Sequence, residues 1–102
     1  MTKRLAFLEK ATREGSSDPF VWYGLAMEYR TTKRNDESLQ TFTTLRTTYP
    51  DYVPAYLMCA QLLTELDRKG EAKTWLEAGI AAAQKTGNTH ALSEMQDALD
   101  AL

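Results

Sequence analysis

Apolar positions recur along this chain with the period of an α-helix. In the first segment Leu5, Leu8 and Ala11 are spaced three residues apart and therefore share one helical face. Similar runs follow in five further segments, which short polar or glycine-containing breaks separate. The pattern predicts an all-α fold with helices over residues 3–14, 19–32, 35–49, 52–66, 69–85 and 89–102.

The breaks between these segments carry residues that typically begin or end helices. Asp18 can accept hydrogen bonds from the amides of a first turn, and Pro19 suits the first helical position. Asn35 is expected to cap the third helix in the same way, and Asp51 the fourth. Gly87 suits the left-handed conformation that commonly ends a helix. All connections are short, so neighbouring helices should run antiparallel.

The third segment contains two conflicting signals. Five threonines between residues 41 and 48 are β-branched and suit a strand. Leu39, Phe42 and Leu45, however, recur at the helical spacing of three. We give the periodicity more weight, because burial of an apolar face contributes more to helix stability than intrinsic propensity does.

The chain also repeats itself at a shift of 34 residues. This shift pairs Trp22 with Tyr56 and Ala26 with Ala60. A period of this size, with two helical patterns in each unit, indicates a helical solenoid. The same shift pairs Leu25 with Cys59, Tyr29 with Leu63, Ser38 with Ala72, Phe42 with Leu76 and Leu45 with Gly79.

These residues resemble the tetratricopeptide repeat family, whose unit is a helix–turn–helix. The family carries an aromatic, a large aliphatic, a small residue and a second aromatic on its first helix. The first unit of this chain has this pattern in Trp22, Leu25, Ala26 and Tyr29, followed by Ser38, Phe42, Leu45 and Pro50. The second unit departs from it at Cys59, Leu63, Gly79 and Gln84. The resemblance implies a right-handed solenoid of about six antiparallel helices.

The resemblance also implies how the chain is divided. A single domain over residues 1–102 would comprise a half-repeat helix at 3–14, repeats at 19–52 and 53–86, and a capping helix at 89–102. In that last helix Leu92, Met95 and Leu99 correspond to Trp22, Leu25 and Tyr29 after a two-residue insertion, and Gln96 takes the small position. Small residues let paired helices approach, while Trp22, Leu25, Phe42 and Leu76 are expected to fill the seam.

Composition and charge exclude several classes of protein. The chain has 102 residues, 43% of them hydrophobic, and a net charge of −2, which is typical of a small globular domain. Its apolar stretches are too short to span a bilayer. We expect a cytoplasmic protein, or a domain of a larger one. Cys59 is the single cysteine, so no internal disulfide can form, and its core position in the repeat predicts a buried thiol.

The charges are not arranged for nucleic-acid binding. The first helix carries Lys3, Arg4, Lys10 and Arg13, but the sequence pI is about 5.3 and no aromatics alternate with these residues. The last helix is acidic. The two ends of the chain carry opposite charge, and this arrangement would allow head-to-tail contact between molecules.

No motif indicates catalysis, a metal or a cofactor. The sequence has one histidine, His90, and no cysteine pair, glycine-rich phosphate loop or nucleophile elbow. We therefore expect a protein that is not an enzyme, with His90 exposed to solvent.

In tetratricopeptide repeats the first helix of each unit lines a concave groove. The resemblance implies that Thr64 and His90 face this groove, together with the predicted partner-binding residues Phe20, Tyr23, Met27, Arg30, Leu57, Gln61, Asp97 and Asp100. The apolar members favour an extended peptide or a helix of a partner protein, and the two aspartates favour a basic flank. The family's carboxylate clamp is not expected, because Arg30 alone cannot form it.

Two alternatives remain open. The apolar side chains could pack inside a closed stack of helices, or the domain could be a structural element that associates into a homo-oligomer. We expect Trp75 to pack against the last helix rather than to bind a partner. The principal prediction is a non-catalytic scaffold or adaptor module for protein–protein interaction.

Overall fold

A computed structural model describes residues 2–102, which form six α-helices and no strand. The helices fall into two compact units, one ending at Tyr49 and one beginning at Pro50, and each unit contains three helices. The all-α prediction is confirmed, including the helix through the threonine-rich segment. The helices are α1 Lys3–Arg13, α2 Pro19–Thr31, α3 Asn35–Thr48, α4 Pro54–Glu65, α5 Lys69–Thr86 and α6 Thr89–Asp100.

Two of the predicted helix ends have the expected chemistry. The amide of Phe20 donates to Oδ1 of Asp18 at 2.9 Å, so Asp18 caps α2 as predicted. Gly87 ends α5 with a φ of 71°, in the left-handed region that suits glycine.

Two predicted caps are wrong. Arg34 precedes α3, and Asn35 is already helical, because the tight turn after α2 holds the Arg34 amide on the carbonyl of Tyr29 at 2.8 Å. The fourth helix begins at Pro54, which lacks an amide and therefore suits a first helical position. Asp51 lies too far before Pro54 to cap it and forms an ion pair with Lys85, 3.2 Å away.

The 34-residue period is visible in the turns between paired helices. Lys33 and Asp67 both have positive φ, at 64° and 58°. An arginine follows each of them and forms a two-pronged ion pair with the glutamate three residues later, Arg34 with Glu37 and Arg68 with Glu71. The two turns therefore have the same construction, although the division of the whole chain into repeats stays a prediction.

The aromatic residue of each first helix is also held in the same way. The indole Nε1 of Trp22 donates to the carbonyl of Ser16 at 2.8 Å. The hydroxyl of Tyr56 donates to the carbonyl of Pro50, again six residues earlier. These bonds fix the start of α2 and of α4 to the loop before it. Trp22 is half-buried and lines a cavity with Thr41 of α3, so it lies at the contact between α2 and α3.

The core of the first unit lies between α1, α2 and α3. Leu5, Leu8, Leu25 and Tyr29 form a buried cluster, and Leu45 of α3 is also fully buried. Two further residues fill the α2–α3 contact. Phe42 is fully buried, and the hydroxyl of Ser38 donates to the carbonyl of Ala26 at 2.7 Å, so this polar group is satisfied without water.

The second unit is built around a close approach at Gly79 of α5. A Cβ atom on this residue would lie 2.4 Å from Sδ of Met95 and 2.6 Å from Cβ of Tyr56. Helix α5 is therefore packed tightly between α4 and α6, which explains glycine at a position where the family commonly has alanine. Cys59 is buried as predicted, and the ring of Trp75 lies 5.9 Å from that of Tyr56 on α4.

Tyr29 links the helices of the first unit through its hydroxyl. It donates to Oε2 of Glu9 on α1 at 2.6 Å, and the guanidinium of Arg34 lies over its ring, 4.8 Å from the centroid. Burial, followed by the hydrogen bond and the negative charge of Glu9, raises the pKa of Tyr29 to about 12.

This shift predicts a loss of stability in alkaline solution. The unfolded chain releases the Tyr29 proton near pH 10, whereas the folded chain retains it to about pH 12. The stability that Tyr29 contributes is therefore present below pH 10 and is lost as pH rises through 12. The free energy of unfolding, measured in urea across this pH range, should fall more steeply with pH for the wild type than for Tyr29→Phe. Equal slopes would contradict the assignment.

Candidate protein-interaction site

A cavity of about 320 Å³ lies within the second unit, between the carboxyl-terminal parts of α4 and α6 and the middle of α5. Ala60 and Leu76 are buried and form its inner wall. Most of its lining is apolar, which suits an aliphatic or aromatic side chain. The lining consists of Leu57, Ala60, Gln61, Thr64, Glu65, Leu76, Ala98, Ala101 and Leu102.

Two predicted partner-binding residues, Leu57 and Gln61, line this cavity with Thr64. Their spacing of four and three places them on one face of α4. Asp97 and Asp100 of α6 are exposed, but neither lines the cavity. His90 is exposed as expected, and its Nε2 lies 3.1 Å from Oε1 of Glu94.

The other predicted residues lie on α2 in the first unit. The Phe20 side chain is 63% exposed, and its ring lies 6.4 Å from that of Tyr23. The Tyr23 ring meets Phe42 edge-on at 6.5 Å, so Tyr23 is anchored to the core and Phe20 extends outward. Burial raises the pKa of Tyr23, and the positive charge of Arg30 partly offsets this effect. Arg30 and Met27 are half-buried.

Sequence reasoning missed several residues of these surfaces. In the cavity it missed Glu65, and on α6 it named His90, Asp97 and Asp100 instead of Ala98, Ala101 and Leu102, which line the cavity. Ala98 and Ala101 are three residues apart on that helix, so their periodicity was a usable signal. It also missed Phe7 of α1, whose side chain is 68% exposed. The 34-residue shift pairs Phe7 with Thr41, which would have indicated a contact position.

The electrostatics of the cavity are simple. Glu65 is the one ionisable side chain in its lining, and no lysine or arginine lines it.

No group of three histidine, cysteine or acidic side chains within residues 2–102 is arranged to hold a metal ion. No helix of this part of the chain is both long and apolar enough to cross a membrane.

The paired helices, their repeated turns and the cavity beside α4 define a helical-repeat protein. The sequence-family model for the tetratricopeptide repeat matches residues 29–99. The chain therefore belongs to the tetratricopeptide repeat family, as its residue pattern indicated. A search of curated proteins found no match.

Solved structures agree with this assignment. The chain is similar to a tetratricopeptide repeat domain protein from Salinibacter ruber in solution, with 37% identity and a TM-score of 0.78 over 81% of this chain and 84% of that one. A crystal structure from the same organism gives 38% identity and a TM-score of 0.75, covering 80% of this chain and 92% of that one. A protein from Bordetella parapertussis, 23% identical, shares the fold with a TM-score of 0.80, covering 98% of this chain and 87% of that one.

Tetratricopeptide repeats generally mediate protein–protein interaction and are generally not catalytic. This general role agrees with the predicted class of function.

Proposed function

We propose that this domain is a non-catalytic adaptor or scaffold module that binds a peptide or helix of a partner protein. The observation that carries the proposal is the cavity of about 320 Å³ beside α4, with Leu57 and Gln61 in its wall. A cavity of this size accommodates one large apolar side chain. Such an anchor, inserted in a desolvated pocket, supplies much of the affinity of a peptide complex.

The α2 surface supplies a second contact region in the proposal. Phe20 is exposed and stacked on Tyr23, so it can contact an apolar side chain with little loss of its own freedom. Met27 and Arg30 lie on the same helix and complete this region. That the α2 surface and the cavity form one groove stays a prediction.

Charge favours a partner with a basic flank. Glu65 lines the cavity, and Asp97 and Asp100 are exposed on the helix that forms one of its walls. A lysine or arginine next to the apolar anchor of a bound peptide would gain favourable charge contacts. The acidic balance of the chain argues against nucleic acid as the partner.

The proposal places the domain in the cytoplasm and requires no cofactor. Cys59 is the single cysteine and is buried, which suits a reducing compartment.

A displayed random-peptide library tests the proposal. We expect the domain to enrich peptides with an apolar residue beside lysine or arginine, and Ala101→Trp to weaken their binding by about tenfold or more by filling the cavity. Ala101 is exposed, so this change should leave the fold intact. Ala81→Trp is the matched control, because Ala81 is exposed on α5 outside the lining.

Fluorescence anisotropy with a labelled selected peptide gives the affinities. Equal binding by wild type and Ala101→Trp would place the site elsewhere, and Phe20→Glu would then test the α2 surface. Failure of the wild-type domain to enrich any peptide would contradict the proposed function.

A further inference from the structure

One position on the second helix of each pair faces the first helix of the same pair. On α3 this position is Thr41, which lies beside Trp22 and Tyr29 of α2 around a cavity of about 190 Å³. On α5 the corresponding residue is Trp75, 34 positions later, whose ring lies 5.9 Å from Tyr56 of α4. The position therefore packs on a first helix in both units.

On α1 the corresponding residue is Phe7, which is 68% exposed. The opposite side of α1 is occupied, because Leu5 and Leu8 are buried in the cluster with Leu25 of α2. Helix α1 therefore corresponds to the second helix of a pair and packs on the pair that follows it. The face of α1 that corresponds to the contact with a first helix is exposed to solvent at Phe7. We call this face, formed by Phe7 and Ala11 with Arg4 at its edge, the α1 face. The Nε of Arg4 lies 3.3 Å from Oε2 of Glu28 on α2, so Arg4 is also ion-paired within the molecule.

Helix α6 has the complementary character of a first helix. Met95 is fully buried and lies next to Gly79 of α5, so one side of α6 is occupied. Leu92 and Leu99 correspond to Trp22 and Tyr29, which line a cavity together with Thr41 on the second helix of their own pair. Both leucines are only half-buried, and Gln96 between them is exposed. We call the surface formed by Leu92, Gln96 and Leu99 the α6 face.

The two helices that carry these faces have opposite charge. Helix α1 has four basic side chains and one acidic side chain. Helix α6 has three acidic side chains and no lysine or arginine. Charges of this kind steer the two surfaces together and disfavour pairing of α1 with α1 or α6 with α6.

We propose that the α6 face of one molecule packs antiparallel on the α1 face of a second copy of this chain, so that the two helices complete a repeat between molecules. Phe7 then packs between Leu92 and Leu99. Inside the first unit the corresponding residues are Ala26 and Ser38, which form a close contact. In the proposed interface Gln96 and Arg4 take these two positions, so a hydrogen-bonded contact between longer side chains replaces the close contact. The interface is heterologous, because each molecule uses a different face.

The interface is small, so the association is weak. A single helix pair buries less area than the roughly 1,200 Å² of a stable complex, and we expect dissociation constants on the order of 100 μM. Because the rim is charged, the association weakens as salt rises and the Debye length shortens.

Sedimentation equilibrium of the whole chain tests the interface. We expect the weight-average mass to rise over concentrations from about 10 μM to about 1 mM, and this rise to be smaller in about 0.5 M salt than in about 0.05 M salt. Phe7→Glu removes the apolar centre of the α1 face. Gln96→Arg puts a long, positively charged side chain into the centre of the α6 face, opposite a helix that is itself basic. Each variant alone should remain monomeric.

A mixture of the two variants gives the decisive result. Phe7→Glu keeps an intact α6 face and Gln96→Arg keeps an intact α1 face, so the mixture should form one-to-one dimers that do not grow further. Ala81→Glu is the matched control, since it adds the same charge at an exposed residue of α5 that lies on neither face. This control should associate as the wild type does.

Three results would overturn the proposal. They are a wild-type chain that stays monomeric throughout the series, a mixture that stays monomeric, and an Ala81→Glu variant that loses association as Phe7→Glu does. Far-UV circular dichroism confirms that each variant is folded, and Phe7→Ala replaces Phe7→Glu should the latter unfold. The outcome is independent of the peptide experiment, because neither Phe7 nor Gln96 lines the cavity.

Discussion

Removal of residues 89–102 is expected to abolish cooperative unfolding of the second unit. Helix α6 contributes Met95, which is fully buried beside Gly79 of α5. Loss of this side chain alone forfeits about 1.5–3 kcal/mol of burial free energy, and the rest of α6 adds to it. For a domain with a total stability of about 5–15 kcal/mol, the loss is severe.

Urea unfolding followed by circular dichroism checks this expectation. The truncated chain should give a broad transition or aggregate, since the apolar side of α5 is then exposed to water. A chain that ends after Asp100 retains α6 and serves as the control, with sharp unfolding expected. A sharp, unshifted transition in the truncated chain would show that α6 does not cap the unit.

The second large effect is expected at Gly79. A Cβ atom there would lie 2.6 Å from Cβ of Tyr56, which cannot move without its helix, and 2.4 Å from Sδ of Met95. Gly79→Ala should therefore destabilise the protein by about 1–3 kcal/mol, despite the higher helix propensity of alanine.

Gly70 provides the matched control on the same helix. A Cβ atom at Gly70 would meet nothing within 4 Å. Gly70→Ala should stabilise the protein by about 0.4–1 kcal/mol, because alanine restricts the unfolded chain. The two substitutions are chemically identical. Changes of opposite sign in the free energy of unfolding, measured in urea, would therefore isolate the effect of packing. A neutral or stabilising Gly79→Ala would show that α5 has room between its neighbours.

Helix positions were predictable from sequence because they depend on local periodicity. Apolar residues three and four apart identified all six helices, with ends within two residues of those observed. In α3 the apolar stripe through Phe42 and Leu45 outweighed the β-branched threonines, as both residues are fully buried. The caps were less predictable. Asn35 and Asp51 have suitable side chains, but the turn before Asn35 decided where α3 begins, and the proline after Asp51 decided where α4 begins.

The candidate site was only partly predictable. Leu57 and Gln61 share a face of α4, and the family resemblance indicated which face it is. The resemblance placed α6 at the groove, but the face of α6 that lines the cavity depends on how α4 and α6 approach α5.

The sequence by itself determined the fold class, the 34-residue period and the membership of the tetratricopeptide repeat family. These follow from residue type and spacing, which act over one or two helical turns. Only the tertiary structure decided the cavity beside α4, the exposure of Phe7 and the need for glycine at position 79. Each of these depends on the separation between helices, which is set by side chains far apart in the chain that pack at interior density.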